Sequence, residues 1–173
     1  MTDLLGEFEC KLDSKFRLAL PAGLKKQVPP EAQGRFVVNR GFEKHLNLFP
    51  FNEWQILCGQ VESRLNLFQP KDRAFMRNFR RGASELSLDN AGRLLLPKRL
   101  LDYAGISEEV ILLAYSNRIE CWDAELYDSV LDIAPDEFAS LAEDVMGNKP
   151  KPEKDDRRPS YRDVPFIPPD QRH

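Results

Sequence analysis

The sequence is short of the residues that most chemistries require. Its three cysteines, Cys10, Cys58 and Cys121, are odd in number and far apart, and its two histidines are His45 and His173. With no Cys-x-x-Cys pair, a zinc framework is not expected and no metal site is predicted. The plain expectation is three reduced, mostly buried thiols in a cytoplasmic protein. No apolar run approaches the roughly 20 residues that cross a bilayer. Met1-Thr2-Asp3-Leu4-Leu5-Gly6 lacks the basic-then-apolar order of a signal peptide, so no membrane association is expected. Glycine-rich phosphate loops and nucleophile motifs are missing too. No catalytic residue, cofactor or small-molecule substrate is therefore expected.

Positive charge is scarce only in one region. The net charge is −3. Residues 1–101 nevertheless hold 17 Lys and Arg against 11 Asp and Glu, whereas 102–144 hold one basic residue, Arg118, against 12 acidic ones. Such asymmetry predicts segregated faces rather than an evenly charged surface.

What the chain does have is the same unit twice. Gly6–Leu24 lies over Gly82–Leu100 at an offset of 76, with the shared string Leu-Asp-x-x-x-Arg-Leu-x-Leu-Pro. Further on, at an offset of 73, Val37 meets Val110, Leu46 meets Ile119, Phe49 meets Trp122 and Trp54 meets Tyr127. Each copy reads as a small β-rich unit. Phe8, Cys10 and Leu12 alternate with Glu7, Glu9 and Lys11, the period of a half-buried strand. Asp13-Ser14-Lys15 and Asp89-Asn90-Ala91-Gly92 are turn formers. Leu18-Ala19-Leu20 and Leu94-Leu95-Leu96 are short strands stopped by Pro21 and Pro97, each proline suiting the first turn of a short helix. Two strands then form a hairpin: 36–38 with 46–49, and 110–114 with 118–122.

Each copy also predicts a closing helix. In the first, Asn52 is the expected cap, with Trp54, Leu57, Val61 and Leu65 as the apolar stripe. In the second, Asp123 is the cap and Leu126, Val130 and Ile133 the stripe. A unit of about 45 residues struggles to build a core alone, so the copies are expected to pack together as pseudo-twofold halves. Between them, Pro70 opens a predicted helix with Phe75, Met76 and Phe79 on one side. Its Arg77, Arg80 and Arg81 either contact phosphates or form a solvated face that pairs with acidic groups. From 147 to 173 the composition predicts a flexible tail. Its apolar island, 164–169, either docks on another subunit or hangs free. The expected segments are 7–53 (first unit), 54–81 (connecting helices), 83–126 (second unit), 127–146 (helical) and 147–173 (tail).

The doubled motif, the segment Asn39-Arg40-Gly41-Phe42-Glu43-Lys44-His45-Leu46-Asn47-Leu48-Phe49-Pro50 and the segment Asn117-Arg118-Ile119-Glu120-Cys121-Trp122-Asp123 resemble the MraZ family over roughly residues 4–130. The resemblance implies a β-rich α+β fold of two tandem SpoVT-AbrB-like swapped-hairpin units with flanking helices. It implies a homo-oligomeric ring and a bacterial transcriptional regulator of cytoplasm and nucleoid. That regulator acts on direct-repeat boxes at the promoter of the division and cell-wall operon, with double-stranded DNA as partner. It places the Asp-x-x-x-Arg loops at the DNA. The positions implied as contacts are Ser14, Lys15, Phe16 and Arg17 in the first loop and Asn90 and Arg93 in the second. Asp13, Asp89 and Gly92 are expected to shape the turns. An arginine so placed can grip phosphate or fork onto guanine O6 and N7.

Phe16 departs from the family's usual glycine. If that glycine has positive φ, the phenylalanine is strained there, so either the turn differs or a neighbour holds Phe16. It is also a candidate for apolar contact with a thymine methyl. The rival to a DNA-binding regulator is an oligomeric protein-interaction scaffold, which the acidic second half and the tail would suit.

Overall fold

A computed structural model describes residues 2–147. The expected tail beyond residue 147 lies outside the described residues. The chain up to Asp132 forms one compact unit and the chain from Ile133 a second. The second contains a helix, α6 (Pro135–Met146), that is exposed along its length.

In the first unit, β1 (Leu4–Lys11), β3 (Arg35–Arg40), β4 (Leu46–Pro50), β5 (Ser84–Ser87), β7 (Glu109–Ser116) and β8 (Arg118–Asp123) form an antiparallel sheet in the order β1-β7-β8-β4-β3-β5. Exchanging the two copies leaves that order unchanged when it is read from the other end. The opening strand of each copy pairs with the other copy, β1 with β7 and β5 with β3. The seam is closed alike in both halves: Leu12 N–H donates to Glu108 O at 2.8 Å, and Leu88 N–H donates to Gly34 O at 2.9 Å. At the centre β4 meets β8 with Asn47 opposite Glu120, residues that the repeat makes equivalent.

The remaining short strands, β2 (Arg17–Ala19) and β6 (Arg93–Leu95), form a separate two-stranded ribbon. Leu18 lies opposite Leu94, again equivalent residues, so the pseudo-twofold axis passes through this pair. Both side chains are fully buried in the main core, with Phe36, Val38, Leu46, Leu48 and Leu112. Pro21 and Pro97 precede α1 (Ala22–Lys25) and α4 (Lys98–Ala104) as their caps, one position before the first turn expected of them. Leu24 and Leu100 drop from these helices into the same core.

The opposite face of the sheet carries α2 (Phe51–Arg64) and α5 (Ala124–Val130). Val37, Phe49 and Trp54 form one small cluster there, and Ile111, Trp122 and Tyr127 form its counterpart. Trp54 thus matches Tyr127, and Phe49 matches Trp122, as the repeat predicts. Val37 corresponds to Ile111 rather than Val110, because its strand pairs Glu85 just as Ile111 pairs Glu9. The β7–β8 hairpin is one residue shorter than β3–β4, and this moves the offset.

Helix ends and stripes differ from expectation in places. Asp123 does cap α5, accepting from Leu126 N–H at 3.2 Å. Asn52 is not a cap: α2 starts at Phe51, directly after Pro50, whose fixed φ turns the chain out of β4. Only Trp54 and Cys58 are buried on α2; Leu57 and Val61 are half-buried, and Leu65 lies past the helix end. On α5 the buried residue is Tyr127 and Val130 is 48% exposed; Ile133, 40% exposed, lies past the helix end. Leu57 and Phe79 pack against the same cluster as Trp54 and Cys58, so part of the stripe on α2 faces the helix after Pro70 rather than the sheet. All three thiols are free; Cys58 and Cys121 are buried and Cys10 half-buried.

The helix expected after Pro70 is α3 (Pro70–Arg80). It docks through Phe79, whose ring stacks on Trp54 at 5.3 Å, while Phe75, 43% exposed, stacks on Phe79 at 5.9 Å.

The dyad pair gives a direct test. Leu18→Ala and Leu94→Ala should each destabilise the fold by about 3 kcal/mol, as large-to-small changes at fully buried sites do. The double variant should be non-additive, since the two side chains share one contact. Urea unfolding of the three variants checks this; a silent substitution on one side would mean that the halves are not equivalent.

Candidate nucleic-acid interface

The two Asp-x-x-x-Arg loops have nearly the same internal wiring. In the first, Asp13 N–H donates to Arg17 O and Phe16 N–H donates to Asp13 O. The Asp13 carboxylate accepts from Lys15 N–H and Arg17 N–H through Oδ1, both at 2.9 Å, and from Arg17 Nε through Oδ2 at 2.6 Å. In the second, Asp89 accepts from Ala91 N–H at 2.9 Å, Arg93 N–H at 3.0 Å and Arg93 Nε at 2.9 Å. A carboxylate gripping its own turn is the Asx arrangement that aspartate favours at such positions. Each guanidinium is held through Nε, so its Nη groups remain donors for a further acceptor, one of them on Arg93 also approaching Asp13.

The loops are tied across the dyad. Leu96 N–H donates to Phe16 O, and Leu20 N–H donates to Gly92 O, both at 3.0 Å. Arg93 Nη1 also comes within 3.9 Å of Asp13 Oδ2. Phe16 has φ +61° and its counterpart Gly92 has φ +73°. The first turn therefore does not differ from the second to accommodate phenylalanine. It adopts the glycine conformation, with the Phe16 carbonyl fixed by the ribbon. A left-handed L-residue costs roughly 1–2 kcal/mol, which the hydrogen-bonded turn offsets. Phe16 is 38% exposed, and Ser14, Lys15 and Asn90 are exposed at the tips.

Strand alternation gives the ribbon two faces. Leu18 and Leu94 point into the core, so Arg17, Ala19, Arg93 and Leu95 share the outer face. Leu95 is 60% exposed and lies opposite Arg17; Ala19 lies opposite Arg93. The outer face thus shows two anchored guanidiniums beside two small apolar surfaces. Neither Ala19 nor Leu95 stands out in the sequence, where both read as members of an apolar strand. Their exposure follows only from the isolation of the ribbon.

A second residue invisible to sequence reasoning is Lys25. Its Nζ lies 3.2 Å from where a Cβ would sit on Gly92. The second loop has Ala91 where the first has Lys15, and an ammonium from the first copy's α1 stands in the gap. Across the paired loops there are four cations, Lys15, Arg17, Arg93 and Lys25, against the two carboxylates of Asp13 and Asp89. The arginines of α3 divide differently. Arg80 pairs with Glu62 at 3.0 Å, the packing role expected of a solvated face. Arg77 and Arg81 are exposed.

Hydrogen bonds from the backbone N–H of Arg17 hold the Asp13 carboxyl below the ordinary aspartate value, with Arg17's side chain and Lys15 N–H adding to the effect. The Arg93 and Ala91 N–H groups do the same for Asp89. A depressed folded-state value means that the stabilisation is present above the unfolded value and is lost as pH falls through the folded one. Stability should therefore drop as pH falls from about 5 to about 2, more steeply for the native chain than for an Asp13→Asn, Asp89→Asn double variant. Denaturant midpoints across that range measure it; parallel curves would show that the carboxylates do not stabilise the turns.

Comparison with known proteins agrees with the duplication. The family described as MraZ protein matches twice, over residues 4–78 and 79–147. A protein of Christiangramia forsetii named "Transcriptional regulator MraZ" is 43% identical over 149 residues, which cover 86% of this chain and 96% of the relative. Proteins with the same name from Flavobacterium psychrophilum and Cytophaga hutchinsonii are 40% and 39% identical, covering 86% and 82% of this chain and 94% and 93% of their own lengths. Matched in both halves and over nearly the whole of these relatives, the chain belongs to the MraZ family.

Proposed function

We propose that the chain is a sequence-specific DNA-binding transcriptional regulator and that the outer face of the β2–β6 ribbon is its reading surface. The carrying observation is the pair of Asp-held guanidiniums flanked by the exposed Leu95 and Ala19. A major groove about 12 Å wide admits a two-stranded ribbon. Arginine forks onto guanine there, and small apolar side chains touch the thymine methyl. Lys15, Lys25 and the loop tips at Ser14, Phe16 and Asn90 then meet the flanking backbone, where cations contribute affinity without sequence preference. The names of the relatives support the same reading. Asp13, Asp89 and Gly92 act indirectly in this scheme, by fixing where the guanidiniums stand. In this reading the two copies are paired swapped-hairpin units of the SpoVT-AbrB type, which the strand exchange between the copies supports.

One ribbon makes few base contacts. We therefore infer a homo-oligomeric ring that presents several ribbons to direct-repeat boxes spaced about one helical turn (roughly 10 bp) apart, with linkage raising the effective concentration of each later contact. Exposed Leu67 and Phe68, at 55% and 92%, are candidates for contacts between copies. Such boxes at the promoter of a division and cell-wall operon, and residence in the cytoplasm at the nucleoid, complete the reading.

Fluorescence anisotropy with DNA from the gene's own upstream region tests it. Log affinity should fall linearly with log salt, with a slope that reports several neutralised phosphates. Arg17→Ala should weaken specific binding by about tenfold or more, the scale of one good arginine–guanine pair. Lys25→Ala should lower the salt slope by about 1 and leave sequence preference intact. Size-exclusion profiles should be unchanged in both. No binding at low salt, or an Arg17→Ala protein that binds as the native one does, would overturn the proposal.

A further inference from the structure

A cavity of about 390 Å³ lies between α2, α3 and the β3–β4 hairpin, and no residue of the β2–β6 ribbon or its two loops lines it. Its cations are Arg40, Arg81 and Arg118, and no Asp or Glu lines it. Among the described residues, none of the three arginines pairs with a carboxylate within 4.0 Å. Two are held by rings instead: Arg40 over Tyr103 at 4.4 Å and Arg118 over Phe49 at 5.1 Å. Asn39 and Asn47 line the same space and are 3% and 6% exposed. Neither Oδ1 has a hydrogen-bond partner in the protein, nor has Arg40 Nε. Buried polar atoms are rarely left so, and each such group asks for a partner.

The duplication provides an internal control. The dyad sets Glu120 at the place of Asn47 and Leu113 at the place of Asn39. In the second copy that place is satisfied: Glu120 accepts from Tyr115 Oη at 3.1 Å and from Trp122 Nε1 at 3.2 Å. His45 closes over Trp122, ring on ring at 4.4 Å. In the second copy the acid is paired; in the first, the place is lined by three guanidiniums and leaves two Asn Oδ1 atoms without a donor.

We propose that this cavity binds a small organic anion of the nucleotide type. A phosphate takes the guanidiniums, whose planar forks of N–H donors suit its several acceptor oxygens. A flat base lies against the apolar side of the cavity, which includes Leu57, Val61 and Phe75. The base's own donors, the exocyclic amine of adenine or N3–H of uracil, donate to the Asn Oδ1 atoms. The volume is at the lower end for small-ligand pockets, enough for one base and one phosphate. A bare inorganic anion would leave the apolar side and both amides unmet.

Isothermal titration of the full chain with UMP, AMP and inorganic phosphate tests this. At least one nucleotide should bind once per chain in the micromolar range, with phosphate at least tenfold weaker. Asn39→Leu, which installs the other half's residue, and Arg118→Gln should each weaken nucleotide binding at least tenfold. Arg17→Ala, on the ribbon, should leave it unchanged. The proposal is overturned if neither nucleotide binds at millimolar concentration, if phosphate binds equally, or if both cavity variants bind normally. Loss of binding in Arg17→Ala would assign the anion to the ribbon instead. A changed size-exclusion profile in the cavity variants, with nucleotide binding intact, would make the cavity a contact between copies.

Discussion

The structure depends on one pairing, Leu18 against Leu94 across the pseudo-twofold axis. Neither copy holds enough apolar surface to fold comfortably alone. The β2–β6 ribbon is where the two hydrophobic halves become one core, since both leucines are fully buried within it. The same three-residue ladder fixes everything on its other face. Once Leu18 and Leu94 point inward, Arg17, Ala19, Arg93 and Leu95 must point outward. A register slip of one residue would bury the guanidiniums and expose the leucines, so the core enforces the site.

Aspartate does the local part of that work. One carboxylate in each loop satisfies two backbone N–H groups and holds the arginine of its own loop. An arginine so held loses less rotamer freedom when it meets a ligand, and this is the physical sense of preorganisation here. An exposed carboxylate beside DNA would otherwise be a liability. Here it is spent inside the turn, and four surrounding cations outweigh the pair. The two loops arrive at this balance differently: the first carries its own Lys15, while the second borrows Lys25 from the opposite copy.

Much of this was legible in the sequence because duplication is legible. The doubled Leu-Asp-x-x-x-Arg-Leu-x-Leu-Pro string announces two equivalent turns, and the Phe49/Trp122 and Trp54/Tyr127 matches hold in the packed structure. Periodicity predicts which residues alternate; it does not say which strand is the neighbour. The pairing of β1 with β7 and of β5 with β3 is a long-range choice with no local signal. Lys25, Leu95 and the open cavity were missed for that reason, since each takes its meaning from a partner remote in sequence. Phe16 is the reverse case. Its local preference allowed either a different turn or a neighbour that holds it, and the turn is the glycine one, with Leu96 N–H donating to the Phe16 carbonyl.

The central claim is that DNA is met by the ribbon and its two loops together. Hydrogen exchange with mass-spectrometric readout, on the full chain with and without its own upstream DNA, tests this most directly. The account predicts slowed exchange in both loops, 13–17 and 89–93, with α3 unchanged. Protection confined to α3, or to one loop while the other exchanges as in the free protein, would contradict it.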